Sequence, residues 1–190
     1  VTAGIILAAG ESRRMGFPKA LLRYRDESFV DTLAGLFAAQ CESVIVVLGA
    51  DADRIRDSMK RQVTYAINPD YSRGMTTSLQ CGLRAVPANA EGILFTLVDH
   101  PAVAPGTLDA LMRAPRPMLR VPRFQGKRGH PVWFRRELTP EFLALDHTGA
   151  ARDVVHAHRA DTEFLDLDDP GIVADIDDAE EYRRLTGVAV

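Results

Sequence analysis

The densest chemistry in the chain lies near its start, in Gly10-Glu11-Ser12-Arg13-Arg14-Met15-Gly16-Phe17-Pro18-Lys19. Small residues let backbone approach a ligand closely, and successive N–H groups in such a turn make an anion nest. Arg13, Arg14 and Lys19 add positive charge, so a polyphosphate is the natural guest. The common phosphate loops do not fit. A P-loop sets Lys and Ser/Thr immediately after its second glycine. Here Lys19 comes three residues after Gly16 and is followed by Ala20. The dinucleotide-binding G-x-G-x-x-G is absent too. The plain alternative is a polar surface turn between a strand and a helix.

Two further stretches carry reactive side chains. Asp99-His100-Pro101 follows the apolar run Gly92 to Val98. A carboxylate at a strand's carboxyl end can hold a hard divalent cation, which prefers oxygen ligands; otherwise it caps the next turn. Near the other end, Asp175-Ile176-Asp177-Asp178-Ala179-Glu180 precedes an amphipathic stretch. Asp177 and Glu180 have the spacing of a helix capping box, and a carboxylate that caps still has a second oxygen for other work. No zinc site stands out. His156 and His158 are two apart, which on a helix turns them to different sides, and neither has a cysteine at ligand spacing.

Positioning these residues requires an alternation of strands and helices. Ile5 to Leu7 is a short apolar run that enters the glycine loop, as a buried strand would. Ser28 to Asp31 has the form of a capping box, and Phe29, Leu33, Leu36 and Phe37 follow at helical spacing. Val44 to Leu48 suits a strand covered on both faces, Asp51 to Arg61 a helix with Ile55 and Met59 inward, and Val63 to Ile67 a strand stopped by Asn68-Pro69. Gly74 to Leu83 reads as a helix whose start, with Thr76, Thr77 and Ser78, either binds an anion or base edge or is simply capped by its hydroxyls. Beyond Gly92 to Val98, helices are expected at Thr107 to Arg113 and Leu138 to Leu145, and strands at Met118 to Pro122 and Phe164 to Leu167. The alternation predicts an α/β protein with a parallel or mixed sheet.

Leu7-Ala8-Ala9-Gly10-x-Ser12-x-Arg14-Met15-Gly16-x-x-Lys19-x-Leu21-Leu22 resembles the signature loop of the MobA-like nucleotidyltransferases. The likeness extends through Gly74-x-x-x-Ser78, Asp99-x-Pro101, Gly126-x-x-Gly129-His130-Pro131-Val132-x-Phe134, Gly149-Ala150-Ala151-Arg152 and Asp175-Ile176-Asp177. The resemblance spans essentially the whole chain, residues 1–190, and is strongest to the molybdenum cofactor cytidylyltransferase branch. It implies one three-layer Rossmann-like domain of the glycosyltransferase-A, or nucleotide-diphospho-sugar transferase, type, with a mixed, mostly parallel sheet. It implies nucleotide contacts for Leu7, Ala8, Ala9, Gly10, Ser12, Arg14, Lys19, Gly74 and Ser78, and catalytic roles for Arg14, Lys19 and Asp99. Asp99 and Asp177 would hold Mg²⁺; His100, His130 and Arg152 would face the acceptor. The chain departs from the family at Val98, usually Gly, at His100, usually Met or Gln, and at Asp178-Ala179, usually Thr-Pro.

The implied chemistry is nucleotidyl transfer: an acceptor phosphate attacks the α-phosphorus of a nucleoside triphosphate and pyrophosphate leaves. CTP and molybdopterin are the implied substrates, with a molybdoenzyme apoprotein as a possible recipient. Ala8-Ala9 stands where guanylyltransferases usually read L-A-G-G, which argues against guanylyl transfer; transfer to a sugar or polyol phosphate is the other variant. A different class is a chaperone that binds nucleotide and delivers the cofactor without turnover. Composition agrees with either class. Charge is −3, with 23 basic and 26 acidic side chains, so a nucleic-acid partner is not expected. Neither a membrane span nor a signal peptide is visible, and Cys41 and Cys81 form no disulfide framework, so a cytoplasmic location with reduced, buried thiols is expected.

Overall fold

The computed structural model describes residues 1–146 and 148–188. In chain order the elements are β1 (Thr2–Ala8), β2 (Arg23–Tyr24), β3 (Glu27–Ser28), α1 (Phe29–Ala38), β4 (Ser43–Leu48), α2 (Ala52–Ser58), β5 (Thr64–Ile67) and α3 (Met75–Arg84). They continue with β6 (Gly92–Leu97), α4 (Pro105–Met112), β7 (Leu119–Phe124), β8 (Lys127–Arg128), β9 (Val132–Arg135), α5 (Thr139–Ala144), α6 (Ala151–Ala157), β10 (Thr162–Asp166) and α7 (Ala179–Thr186).

The main sheet runs β10-β7-β9-β6-β1-β4-β5, with β8 paired to β7; β2 and β3 make a separate hairpin. β5, β4, β1 and β6 are mutually parallel, and β9 enters antiparallel between β6 and β7. β1 lies between β4 and β6 with all seven residues buried, which is why its sequence is almost wholly apolar. Alternate residues feed opposite layers. Ile6, Ala8, Val46, Leu48 and Leu94 pack with Phe29, Leu33 and Phe37 of α1, Ile55 of α2, Leu108 of α4 and Tyr182 of α7. Ile5, Leu7, Ile45, Val47 and Phe95 pack with Leu79 and Leu83 of α3, Phe142 of α5 and Val154 of α6. The expected three-layer arrangement with a mixed, mostly parallel sheet is therefore present.

Some boundaries differ from the sequence reading. The helix expected over Asp51 to Arg61 ends at Ser58, because Met59 is extended; the Lys60 and Arg61 N–H groups instead donate to Asp31 Oδ1. Asp31 thus ties two segments together: its Oδ2 accepts from the Ser28 hydroxyl at 2.8 Å, and that hydroxyl caps α1 by accepting from the Asp31 N–H. α4 begins two residues before Thr107, with Pro105 in its first turn, where a missing N–H is harmless. The helix expected over Leu138 to Leu145 is α5, Thr139–Ala144, entered through a 3-10 turn, Arg136–Leu138. Cys41 is buried, and burial pushes its thiol up to about 12, but Cys81 is only half-buried. Among the described residues no helix is long and apolar enough to cross a membrane.

Candidate active site

From β1 the chain moves outward to β4 and β5, then returns through α3 to β6 on the other side of β1. The carboxyl ends of β1 and β6 are thus a topological switch point, where open α/β sheets form their ligand crevice. A cavity of about 320 Å³ lies there. Leu7, Ala8, Ala9, Gly10, Ser12, Arg14, Lys19, Gly74, Ser78, Asp99 and Asp177 all line it, so the expected nucleotide and metal residues come together.

The loop after β1 holds its shape through Ser12, which has φ 52°. Its carbonyl accepts from the Met15 and Gly16 N–H groups, both at 3.1 Å. Its hydroxyl accepts from the Lys19 N–H at 3.0 Å. Met15 is buried and anchors the turn in the core beside α1. Two amides expected in an anion nest are therefore engaged within the loop, and the cationic side chains carry the positive face.

Those cations converge on two carboxylates. Lys19 Nζ lies 2.5 Å from Asp177 Oδ1 and 3.5 Å from Asp99 Oδ2. Arg14 Nη2 donates to Asp177 Oδ2 at 2.7 Å. The backbone explains how residues 78 positions apart meet: the Ile176 N–H donates to the Asp99 carbonyl at 3.0 Å, holding the segment before α7 against the end of β6. Asp177 is not the helix cap expected from its spacing. Asp178 is: its Oδ1 accepts from the Glu180 and Glu181 N–H groups, and Glu181 Oε2 accepts from the Asp177 and Asp178 N–H groups. The capping box is one residue later, which leaves the Asp177 carboxylate to Lys19 and Arg14.

The two carboxyls are pushed in opposite directions. Burial raises Asp99, against opposing pulls from His100 and Lys19. The hydrogen bond from Lys19, with Arg14 behind it, holds Asp177 below the usual carboxylate range. Asp99 Oδ1 is out of solvent without a hydrogen-bond partner. That atom lies 3.6 Å from His100 Nε2, while Asp99 Oδ2 and Asp177 Oδ1 share Lys19; a carboxylate pair with an unsatisfied oxygen suits a hard divalent cation, for which Asp99 and Asp177 would be the protein ligands. No group of three or more His, Cys, Asp or Glu suited to a metal occurs among the described residues, so phosphate oxygens or water would complete the coordination.

α3 aims its N-terminus at the cavity. Gly74 is its N-cap and no side chain caps it, so the expected alternative of Thr or Ser capping is not what the hydroxyls do. Thr77 Oγ1 donates to the Gly74 carbonyl at 2.8 Å, and Thr76 Oγ1 to the Gly149 carbonyl at 2.6 Å. Ser78 Oγ accepts from Asn68 Nδ2 at 3.0 Å. Asn68 is thus a positioning residue that its place in a strand-stopping Asn-Pro pair concealed.

His100, His130 and Arg152 do not line the cavity. His100 is buried, with Nε2 3.6 Å from Asp99 Oδ1, and its ring lies 5.1 Å from that of His130. The Nδ1 atoms of both are buried without partners. Burial, then the neighbouring His100, lower His130 to about 3, so it is a neutral imidazole. Arg152 is exposed on α6, three residues past the Gly149 carbonyl that meets α3. Tyr71 and Met75 line the cavity and were missed: Tyr71 lies outside the quoted motifs, and Met75 is an unspecified position within Gly74-x-x-x-Ser78.

Residues 4–162 match the model of the MobA-like NTP transferase domain. The chain is 26% identical to the purine catabolism protein PucB of Bacillus subtilis over 190 aligned residues, covering 94% of this chain and 93% of that one. It is 24% identical to the molybdenum cofactor cytidylyltransferase of Escherichia coli, covering 94% and 92%. The solved structure of Rv0371c from Mycobacterium tuberculosis superposes with a TM-score of 0.88 at 32% identity, over 98% of this chain and 97% of that one. Rv0371c has also been solved in complex with manganese.

Proposed function

The chain belongs to the MobA-like NTP transferase family, and from that premise we propose that it transfers CMP from CTP to the phosphate of molybdopterin, releasing pyrophosphate. The observation that carries this reading is the convergence of Lys19, Arg14, Asp99 and Asp177 at the ends of β1 and β6. Phosphoryl chemistry of this kind needs positioning and charge neutralisation more than a covalent protein nucleophile.

The oxygen of the acceptor phosphate forms a bond to the α-phosphorus while the bond from that phosphorus to the bridging oxygen breaks, and pyrophosphate departs with the electron pair. The acceptor phosphate is already ionised near neutral pH, so no strong general base is needed. A divalent cation, Mg²⁺ in this reading, supplies charge neutralisation at the phosphate oxygens when bound. Asp99 and Asp177 would hold it. Lys19 and Arg14 exchange their carboxylate contacts for the triphosphate and stabilise charge developing on the leaving group. Ser12 keeps the Lys19 backbone in register throughout.

The cytidylyl assignment draws on Ala9, buried at the cavity, whose methyl group leaves less room than the glycine of a guanylyltransferase would. The E. coli cytidylyltransferase, aligned over most of both chains, adds support. His100 and His130 support Asp99 from behind in this reading, and Arg152 is left as an outer contact for the acceptor. The test is mass spectrometry of a reaction holding molybdopterin, Mg²⁺ and either CTP or GTP. The expected product is molybdopterin plus CMP. A GMP adduct alone would move the activity to guanylyl transfer, and no adduct with either nucleotide would favour the chaperone reading.

A further inference from the structure

One wall of the cavity carries two large uncharged side chains, Tyr71 and Met75, with no part in the phosphate chemistry. Tyr71 begins the 3-10 turn Tyr71–Arg73 between β5 and α3, and Met75 is the first residue of α3. Both line the cavity. Met75 is 57% exposed, one of four large hydrophobic side chains so placed among the described residues. The others, Val1, Ile67 and Val188, do not line it.

The turn that carries Tyr71 is fixed from several sides. The Asp70 N–H donates to Asn68 Oδ1 at 3.0 Å, the Gly74 N–H to the Tyr71 carbonyl at 3.3 Å, and Thr77 Oγ1 to the Asp70 carbonyl at 3.0 Å. The side chain leans on Gly49, just past β4, so closely that a Cβ there would stand 2.6 Å from Tyr71 Cβ and 2.7 Å from its Cγ. Gly49 therefore leaves room for the root of this side chain and for the Ala9 carbonyl, 2.8 Å from the same Cβ position. Holding an aromatic so firmly at the edge of an open cavity is the preorganisation expected of a stacking platform.

We infer that Tyr71 and Met75 form the wall against which the nucleobase of the nucleoside triphosphate stacks. The inference rests on the nucleotidyl-transfer reading and goes beyond it by assigning the base its contact. Topology selects the base over the pterin ring of the acceptor. Tyr71 sits over the end of β4, whereas Asp99 ends β6, and β1 lies between them. Two strand spacings, about 10 Å, separate the two sides. The acceptor phosphate must lie beside Asp99 and Asp177, so the apolar β4 side is left to the far end of the nucleotide. Every base has a π-face, so this wall contributes affinity for all nucleotides and not the choice among them.

The test compares Mg²⁺-dependent binding of CTP, GTP and inorganic tripolyphosphate by calorimetry to wild type, Tyr71→Ala, Tyr71→Phe and Met75→Ala. Base–aromatic stacking predicts that Tyr71→Ala weakens CTP and GTP about ten- to hundredfold, while tripolyphosphate changes less than twofold. Tyr71→Phe should bind like wild type, and Met75→Ala should show the same base-dependent split, smaller. Met75 is exposed, so its variant carries the test if Tyr71→Ala fails to fold. Equal weakening of tripolyphosphate, or no weakening of CTP, overturns the inference. Unchanged CTP binding with a raised KM for molybdopterin would assign the wall to the pterin and overturn it too. Failure of the wild type to bind any nucleoside triphosphate would instead overturn the nucleotidyl-transfer reading.

Discussion

Asp177 and Asp178 are adjacent carboxylates with separate work: Asp178 caps α7, and Asp177 meets Lys19 and Arg14. Substitution should separate them. Asp178→Ala removes a cap and should destabilise the protein by about 1 kcal/mol, with turnover retained at temperatures where it stays folded. Asp177→Asn keeps the shape but loses the charge that Lys19 and Arg14 meet, so it should lower the melting temperature modestly while raising the Mg²⁺ concentration needed for half-maximal rate. Thermal melts beside metal titrations read both; a swap of the two phenotypes would mean that the observed pairing does not persist in the working enzyme. Lys19→Ala should lower kcat/KM for the nucleotide by about two to three orders of magnitude, the usual effect of losing one donor to developing charge. A loss under tenfold would leave Lys19 a structural partner of two carboxylates. The residue types of this site were legible in the sequence, because the loop motif is long. The register at residue 177 was not. Capping-box spacing fits both 177–180 and 178–181, and only the Ile176 bond to Asp99 decides between them.

At the scale of elements, the longer strands of the main sheet were legible to within about three residues because apolar runs mark sheets covered on both faces, whereas the two-residue strands β2, β3 and β8 carry no such run and were not. Ends set by tertiary bonds, such as the early stop of α2, were not legible. α3 does the most positioning, and its distance from the sheet is set by Gly82. A Cβ there would stand 2.8 Å from Ile5 Cγ2 and 2.9 Å from Val47 Cγ2. Glycine inside a helix costs about 1 kcal/mol relative to alanine, so its presence already pointed to a close approach. Gly82→Ala should destabilise by about 1–3 kcal/mol through overpacking. It should also raise KM for the nucleotide, because Gly74, Met75 and Ser78 ride on the displaced helix. Denaturant titration and steady-state kinetics check this; a stabilised variant with unchanged KM would show that α3 has slack against the sheet.

At the scale of the whole molecule, two imidazoles sit beside the carboxylate centre: His100 is buried, and His130 is half-buried with its Nδ1 out of solvent. His130 is the one with a clear pH consequence. Burial holds it down to about 3, whereas an unfolded histidine titrates near 6.5. Above 6.5 both states are neutral there. Below it the unfolded chain takes up a proton that the folded chain refuses, so stability falls as pH drops from about 6.5 towards 3. A His130→Gln variant should lose less stability across that window, by up to about 1.4 kcal/mol per pH unit. Urea midpoints between pH 4 and pH 7 measure it, and parallel acid limbs in the two proteins would show that His130 is protonated in the fold. From the sequence His130 is either an acceptor contact or a partly buried histidine; in the fold Phe95, His100 and Ile172 close around it and leave it half-buried.

Turnover should require Asp99, and pyrophosphate release tests that requirement most directly. Wild type and Asp99→Asn are compared with CTP, GTP and ATP, each with molybdopterin and Mg²⁺, with far-UV circular dichroism confirming that both are folded. Wild type should release pyrophosphate fastest with CTP, and Asp99→Asn should release almost none while keeping the wild-type spectrum. Near-normal release by Asp99→Asn, or nucleotide binding by wild type with no release from any of the three, would contradict it.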